Sequence, residues 1–246
     1  MKIDIITIFP KMFAPVLNES IIKRAQGKGL LKIKVHDLRD YTRDKHRKVD
    51  DRPFGGGPGM VFRPEPIFRA VEKIVASGKK PSRSRKCNPK VILLTPQGKK
   101  LDQTMVKKLS RCRHLILICG HYEGVDERVR KNLVTDQVSI GDYVLTCGEL
   151  PAMVLVDSVA RLIPKVLGKD ESTHSESFAC GLLEYPQYTR PAVFRRMAAP
   201  KVLLSGNHKL IEKWRKEMAL KVTKRRSQYM LKYIKLKNWG TENEKD

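Results

Sequence analysis

Apolar and polar positions along the chain fall into two alternating patterns. Short runs rich in β-branched and aliphatic residues at 3–9, 30–35, 91–94, 115–119 and 134–138 predict strands. Between them, apolar residues recur at helical spacing at 11–25, 64–76, 102–109, 126–133 and 152–163. In the first of these helices Met12, Val16, Ile21 and Ile22 are the expected inward positions, and Gly27 and Gly29 end it. Strands alternating with helices predict an α/β fold. The helix at 152–163 is apolar on nearly every face, interrupted only by Asp157, Ser158 and Arg161. Such a helix has to be covered, by the core or by a second subunit.

The pattern changes after residue 165. The stretch 170–176 is polar and reads as a linker, and Pro186, Pro191 and Pro200 punctuate the chain beyond it. Two helices are expected next. The first presents Leu210, Ile211, Trp214 and Met218 on one face, and the second opens near Lys224, Arg225 and Arg226 and carries Tyr229, Met230, Tyr233 and Ile234. The run LSGNH at 204–208 supplies a turn and an N-cap before them. The expected organisation is a larger α/β domain at 1–167, a linker at 168–183 and a small helical domain with a basic face at 184–246.

Charge adds a partner to this picture. The 246 residues hold 50 Lys and Arg against 26 Asp and Glu, a net charge of +24. That excess implies a polyanionic partner. No run of eighteen apolar residues occurs, so no membrane-spanning helix is expected, and the short N-terminal apolar run containing Asp4 reads as a strand rather than a signal peptide. Five cysteines without CxxC spacing indicate neither a disulfide framework nor a zinc site, which fits a reducing cytoplasm. The stretch 77–90 has six Lys or Arg and no acid, and reads as a solvated loop.

Candidate chemistry gathers in glycine-rich loops. Strand, glycine loop and helix follow one another at TPQG (95–98) and at GHYEG (120–124), and SIGDYVLTCGELP (139–151) makes a third loop of the kind. In open α/β sheets ligands bind beyond the carboxyl ends of strands, where such loops converge. Neither GxGxxG nor a phosphate-binding Gly-Lys-Ser/Thr occurs, so a nucleoside-like ligand held by backbone atoms fits better than a dinucleotide. Gly141 and Gly148 permit close backbone approach, while Asp142 and Glu149 are equally readable as two solvated carboxylates of a structural turn. A fourth loop, DDRPFGGGPGM (50–60), has too many breakers for helix or strand, and His46, Arg47, Asp50, Asp51 and Arg52 beside it favour a polar substrate. Arg161 forms either an i,i+4 pair with Asp157 or a buried cation aimed at a site.

The motifs DDRPFGGGPGM, TPQG, YEGVDER (122–128), SIGDYVL (139–145), GELPA (148–152), YTRP (188–191) and LSGNH stand in an order that resembles the tRNA (guanine-N(1))-methyltransferase family TrmD, of the SPOUT superfamily, from residue 1 to about 233. The resemblance implies a mainly parallel sheet with helices on both faces, a C-terminal trefoil knot, a small helical tRNA-binding domain and an obligate homodimer with composite active sites. It implies that S-adenosyl-L-methionine lies against Pro96, Gly120, Glu123, Ile140, Gly141, Asp142, Tyr143, Val144, Leu145 and Gly148. Asp50, Gly59 and Met60 would hold the guanosine 3′ of the anticodon, Glu176 would be the general base and Arg161 the cation at O6. The family's Mg²⁺ dependence is implied too, with no metal-ligating residues to name. Two residues depart from the family pattern: Glu176 stands where Asp is usual, and Cys147 where Gly is usual. The competing class, a non-catalytic RNA-binding or ribosome-associated protein, accounts for the charge but not for three strand-end glycine loops. Another nucleotide-dependent α/β enzyme lacks its fingerprint here.

Overall fold

The computed structural model describes residues 1–77, 88–167, 177 and 182–242. Most of the basic loop foreseen at 77–90 lies outside the described residues. The chain divides into two compact units, Met1–Lys169 and Asp170–Asp246.

The first unit is built on a five-stranded sheet. Its strands are β1 (Lys2–Thr7), β2 (Lys32–Asp37), β5 (Lys90–Lys100), β6 (His114–Cys119) and β7 (Asp136–Ser139), in the order β2-β1-β6-β5-β7. All four pairings are parallel, so every carboxyl end lies along one edge. Crossovers are made by α1 (Ala14–Leu17) and α2 (Ser20–Gly27), by α3 (Pro64–Ala76), by α4 (Gln103–Ser110) and by α5 (Glu127–Asn132), and α6 (Glu149–Ala160) follows the last strand. A two-residue pair, β3 (Asp50–Asp51) with β4 (Val61–Phe62), closes the long polar loop.

Side chains alternate across a strand, and here both faces are apolar. Ile3, Ile5, Ile92, Leu94, Leu115 and Leu117 pack with α2, α4 and α6 residues such as Ile22, Val106 and Val156. Ile6, Leu93, Ile116 and Ile118 pack on the other face with Ile67, Ala70, Val71 and Ile74 of α3 and Val129 of α5. The sheet is thus sandwiched between helices. Each aliphatic side chain so buried contributes about 1.5–3 kcal/mol.

Several expectations are corrected. The helix foreseen at 11–25 is broken into a 3-10 turn, α1 and α2, and the break between α1 and α2 falls where the backbone at Ser20 enters the left-handed region at φ 52°. The break shifts the phase: Phe13, Leu17, Ile22 and Ala25 are buried, whereas Met12 and Val16 are about 40% exposed. The strand foreseen at 91–94 continues to Lys100. Its ladder with β7 is interrupted after Leu94 and resumes at Lys99, so the segment 95–98 bulges out of the sheet rather than leaving it. Gly98 permits this, since a Cβ there would collide with the backbone of Gln137 and Val138. Helix α6 begins three residues earlier than its apolar pattern, capped at Gly148, with Pro151 still in the first turn.

A polar cluster around Asp4 is buried in this unit. Asp4, 1% exposed, accepts from His36 Nε2 at 2.7 Å, His114 Nε2 at 2.6 Å and Lys2 Nζ at 2.8 Å, and His36 Nδ1 lies 2.6 Å from Tyr41 Oη. Burial alone raises the carboxyl's pKa. The hydrogen bonds from His114, His36 and Lys2 outweigh it and hold Asp4 well below the usual carboxylate range.

The second unit holds a hairpin, β8 (Val193–Phe194) with β9 (Met197–Ala198), then α7 (Lys201–Leu204) and α8 (His208–Glu242). The two helices foreseen at its end are one, α8, because no residue between Met218 and Lys224 breaks a helix. Asn207 Oδ1 accepts from Leu210 N at 3.2 Å and caps its start, as the run LSGNH suggested. Ile211, Trp214 and Met218 are partly covered, and Leu210 is 51% exposed. Trp214 packs edge-on against Tyr185 and tilted against Tyr188, with centroids 6.4 and 6.3 Å away.

Candidate active site

The carboxyl ends of β5, β6 and β7 are neighbours, and their loops enclose a cavity of about 290 Å³. Three of its walls are the glycine loops of the sequence: Thr95, Pro96 and Gln97; Gly120 to Val125; and Ile140, Gly141 and Tyr143 to Gly148. Pro151 of α6 and Arg130 of α5 complete it.

Two glycines set the spacing of these walls. A Cβ on Gly148 would lie 2.7 Å from Gly120 N and 2.8 Å from Cys119 Cα, both backbone. Gly148 N donates to Gly120 O at 2.8 Å, and His121 bridges Cys147, so the returning chain runs against the end of β6. Ser139 Oγ accepts from Gly141 N at 3.2 Å and donates to its carbonyl at 2.8 Å, which fixes the turn out of β7. The Tyr143 ring lies over Gly141, where a Cβ would strike it.

The DDRPFGGGPGM loop folds back onto this wall. Glu123 N donates to Met60 O at 3.1 Å, and Phe62 N donates to Gly124 O at 2.9 Å. Gly59 has φ 82°, and a Cβ there would lie 2.5 Å from Glu123 Oε1. Gly59 and Met60 therefore sit beside the cavity loop of Gly120–Gly124, while Asp50 stands at the loop's base on β3. Phe54, at the tip, is 98% exposed.

Most residues assigned to the cofactor by resemblance line the cavity: Pro96, Gly120, Glu123, Ile140, Gly141, Tyr143, Val144, Leu145 and Gly148. Asp142 lies within the same loop, but its carboxylate is 74% exposed and 2.5 Å from Lys100 Nζ, and it is not part of the lining. Arg161 is the residue that ends α6, with its amide donating to Asp157 O at 3.3 Å. Leu150, Val154, Asp157 and Arg161 fall on one face of that helix and are exposed. Glu176 and the rest of the foreseen linker up to that residue lie outside the described residues.

Sequence reasoning missed several wall residues. His121 packs against Phe9 and Tyr122 at centroid distances of 5.3 and 4.6 Å, and Arg130 Nη2 donates to Gln137 Oε1 at 2.9 Å. Glu149 is fully buried, not solvated: Thr7 Oγ1 donates to its Oε1 at 2.5 Å, and Oε2 has no hydrogen-bond partner among the described residues. Burial first, then the charge of Glu149 and the neighbouring Cys147, pushes the Cys119 thiol well above its ordinary pKa, so Cys119 behaves as an inert apolar core residue behind the cavity loops. No group of three or more His, Cys, Asp or Glu side chains gathers to hold a metal among the described residues. No described helix is long and apolar enough to cross a membrane.

A parallel sheet with a cavity at its carboxyl edge, lined by three glycine loops and by few charged side chains, defines an α/β protein with a ligand-sized cleft where such folds commonly bind ligands. The sequence profile described as tRNA (Guanine-1)-methyltransferase TrmD matches residues 1–232. The chain belongs to that family. Among its relatives, the tRNA (guanine-N(1)-)-methyltransferase of Moorella thermoacetica is 56% identical over 236 residues, covering 96% of this chain and 92% of the relative. The protein of the same name from Halalkalibacterium halodurans is 54% identical over 246 residues, covering 100% and 96%. That from Dehalococcoides mccartyi is 52% identical over 236 residues, covering 96% and 92%.

Proposed function

We propose that the protein transfers a methyl group from S-adenosyl-L-methionine to N(1) of the guanosine 3′-adjacent to the anticodon of tRNA, in the cytoplasm. The observation that carries this reading is the cavity at the ends of β5, β6 and β7 in a chain of this family. Its residues fit the cofactor: the walls are glycine loops, the apolar side chains of Leu93, Val138, Val144 and Leu145 line it, and a Cβ at Gly148 would collide with the backbone of Cys119 and Gly120 and push two of the walls apart. S-adenosyl-L-methionine supplies an electrophilic methyl group. The backbone of residues 140–145, with Pro96 and Gly120, would hold the adenosine end.

The chain's own part in the reaction follows from guanine. Its N(1) carries a proton at neutral pH, so a base has to remove it as the methyl group arrives. Glu176 takes this role in the proposal. Negative charge developing on O6 is met by Arg161, and the loop of Asp50, Gly59 and Met60 holds the base against the cavity wall. For the Mg²⁺ implied by the family resemblance, no group of three or more His, Cys, Asp or Glu side chains gathers among the described residues.

A homodimer completes the proposed site. The exposed face of α6 combines Leu150 and Val154, 47% and 46% exposed, with Asp157 and Arg161. Covered by a second copy, it would bring Arg161 of one chain to the cavity of the other. The return of the chain at Cys147 and Gly148 beside Gly120 supports the trefoil knot, and the unit after the linker, residues 184–246, is proposed to bind tRNA. Incubation of bulk tRNA with the protein and labelled cofactor, followed by mass analysis of nucleosides, tests the function. Labelled 1-methylguanosine is the expected product, and its absence rejects the proposal.

A further inference from the structure

The hairpin of the second unit has a turn whose residues do not suit its shape. Strands β8 and β9 are joined by Arg195 and Arg196 alone, with Val193 opposite Ala198 and Phe194 opposite Met197. Two-residue hairpin loops of this kind take left-handed backbone at their central positions, which is why Asn-Gly and Asp-Gly dominate there. Here two arginines adopt it, at φ 49° and 64°. A side chain in that region crowds its own carbonyl, and glycine would remove the strain. Strain retained at a position where a common residue would relieve it points to a use for the side chains.

The surroundings say what use. Every residue from 191 to 198 is exposed, and Val193, Phe194 and Met197 are 59%, 55% and 63% exposed. The Arg195 guanidinium lies 5.2 Å from the centroid of the Phe194 ring, so a cation and an aromatic face are presented together. From residue 185 to 211 the sequence has Arg190, Arg195, Arg196, Lys201 and Lys209 and no Asp or Glu. A protein partner commonly meets a rim of mixed sign, whereas one sign beside an aromatic face suits a polyanion with unpaired bases.

We infer that this hairpin is an RNA-gripping finger. Arg195 and Arg196 engage phosphates of the tRNA backbone through their planar guanidinium forks, and the Phe194 ring offers a face to an unpaired base. The inference rests on the proposed tRNA substrate and names the element that holds it.

The test exchanges strain for charge. In full-length protein, Arg195→Asn with Arg196→Gly installs a favoured turn and removes both cations. The expected result is a melting temperature equal to or above that of the wild type, together with weaker tRNA binding. The slope of log affinity against log salt should fall by about 2, one for each phosphate that no longer meets a guanidinium. Arg195→Lys with Arg196→Lys should keep most of that slope, Phe194→Ala should weaken binding without changing it, and cofactor affinity should stay the same in all three. An unchanged slope in the Arg195→Asn, Arg196→Gly protein, with wild-type methylation of tRNA intact, overturns the finger and leaves the proposed function standing. A changed sedimentation state with an unchanged slope overturns it in favour of an interface between copies of the chain. If the wild type neither binds nor methylates tRNA, the proposed function itself falls.

Discussion

Single atoms decide the geometry of the cavity at Gly148. A Cβ there would lie 2.7 Å from Gly120 N and 2.8 Å from Cys119 Cα, and neither neighbour is a side chain that can swing away. Gly148→Ala should cost about 1–3 kcal/mol through overpacking and lower cofactor affinity at least tenfold. Thermal melting and titration calorimetry check the two effects, and wild-type values in both would refute the close approach. Asp4 makes a second prediction at this scale. Its folded pKa is depressed, so its contribution to stability is present above the unfolded value of about 3.9 and is lost as pH falls from there toward the lower folded value. Asp4→Asn should cost about 3 kcal/mol near neutral pH, because His36, His114 and Lys2 lose a buried carboxylate partner. In urea titrations the gap between variant and wild type should narrow below pH 4. A gap independent of pH would show that the cluster's carboxylate charge is not what stabilises it.

Helix α6 is the element on which the proposed site depends at both ends. Its first turn closes the cavity at Gly148 and Pro151, and Arg161 ends it beside the exposed Val154 and Asp157. If two chains share each site as proposed, Glu176→Gln should remove the proposed base and Gly141→Val should spoil the proposed cofactor wall, each inactivating its own homodimer. Freely exchanged mixtures should regain about a quarter of wild-type turnover, since half the dimers are mixed and each holds one intact site. No regain under conditions of verified chain exchange would mean that each chain carries its site alone. The sequence made this helix legible through its apolar residues, because burial leaves a mark at every position. Its true start was not legible, because Glu149 is a carboxylate buried against Thr7, an arrangement no local pattern encodes. The strand ends and glycine loops were readable for the same reason as the helix. The return of the chain against Gly120, the bulge at residues 95–98 and the wall residues His121 and Arg130 were not, since each depends on a neighbour distant in sequence. The split of the first helix at Ser20 escaped because a serine with positive φ leaves no compositional trace.

At the scale of the whole molecule the net charge of +24 is the governing quantity. A tRNA held through six or more phosphate contacts should bind about a thousandfold or more weakly at 200 mM salt than at 50 mM. Cofactor affinity, set by a cavity lined by few charged side chains, should change little over the same range. Filter binding for the RNA and calorimetry for the cofactor separate the two. Parallel salt dependence would place the charge in the cavity rather than on the RNA-facing surface.

The pairing of β1 with β6 also sets a timetable. Lys2 lies opposite His114, so the first strand made by the ribosome meets its central partner only after more than a hundred further residues have been added. At about 5–20 residues per second, that interval is roughly 6–20 s. During it, β1 has only β2 to pair with, and Ile3, Ile5 and Ile6 lack the β6 neighbours Leu115, Leu117 and Ile118. A nascent chain stalled before residue 114 should therefore remain sensitive to protease and bound by holding chaperones, and one released after residue 167, with β7 and α6 in place, should become resistant.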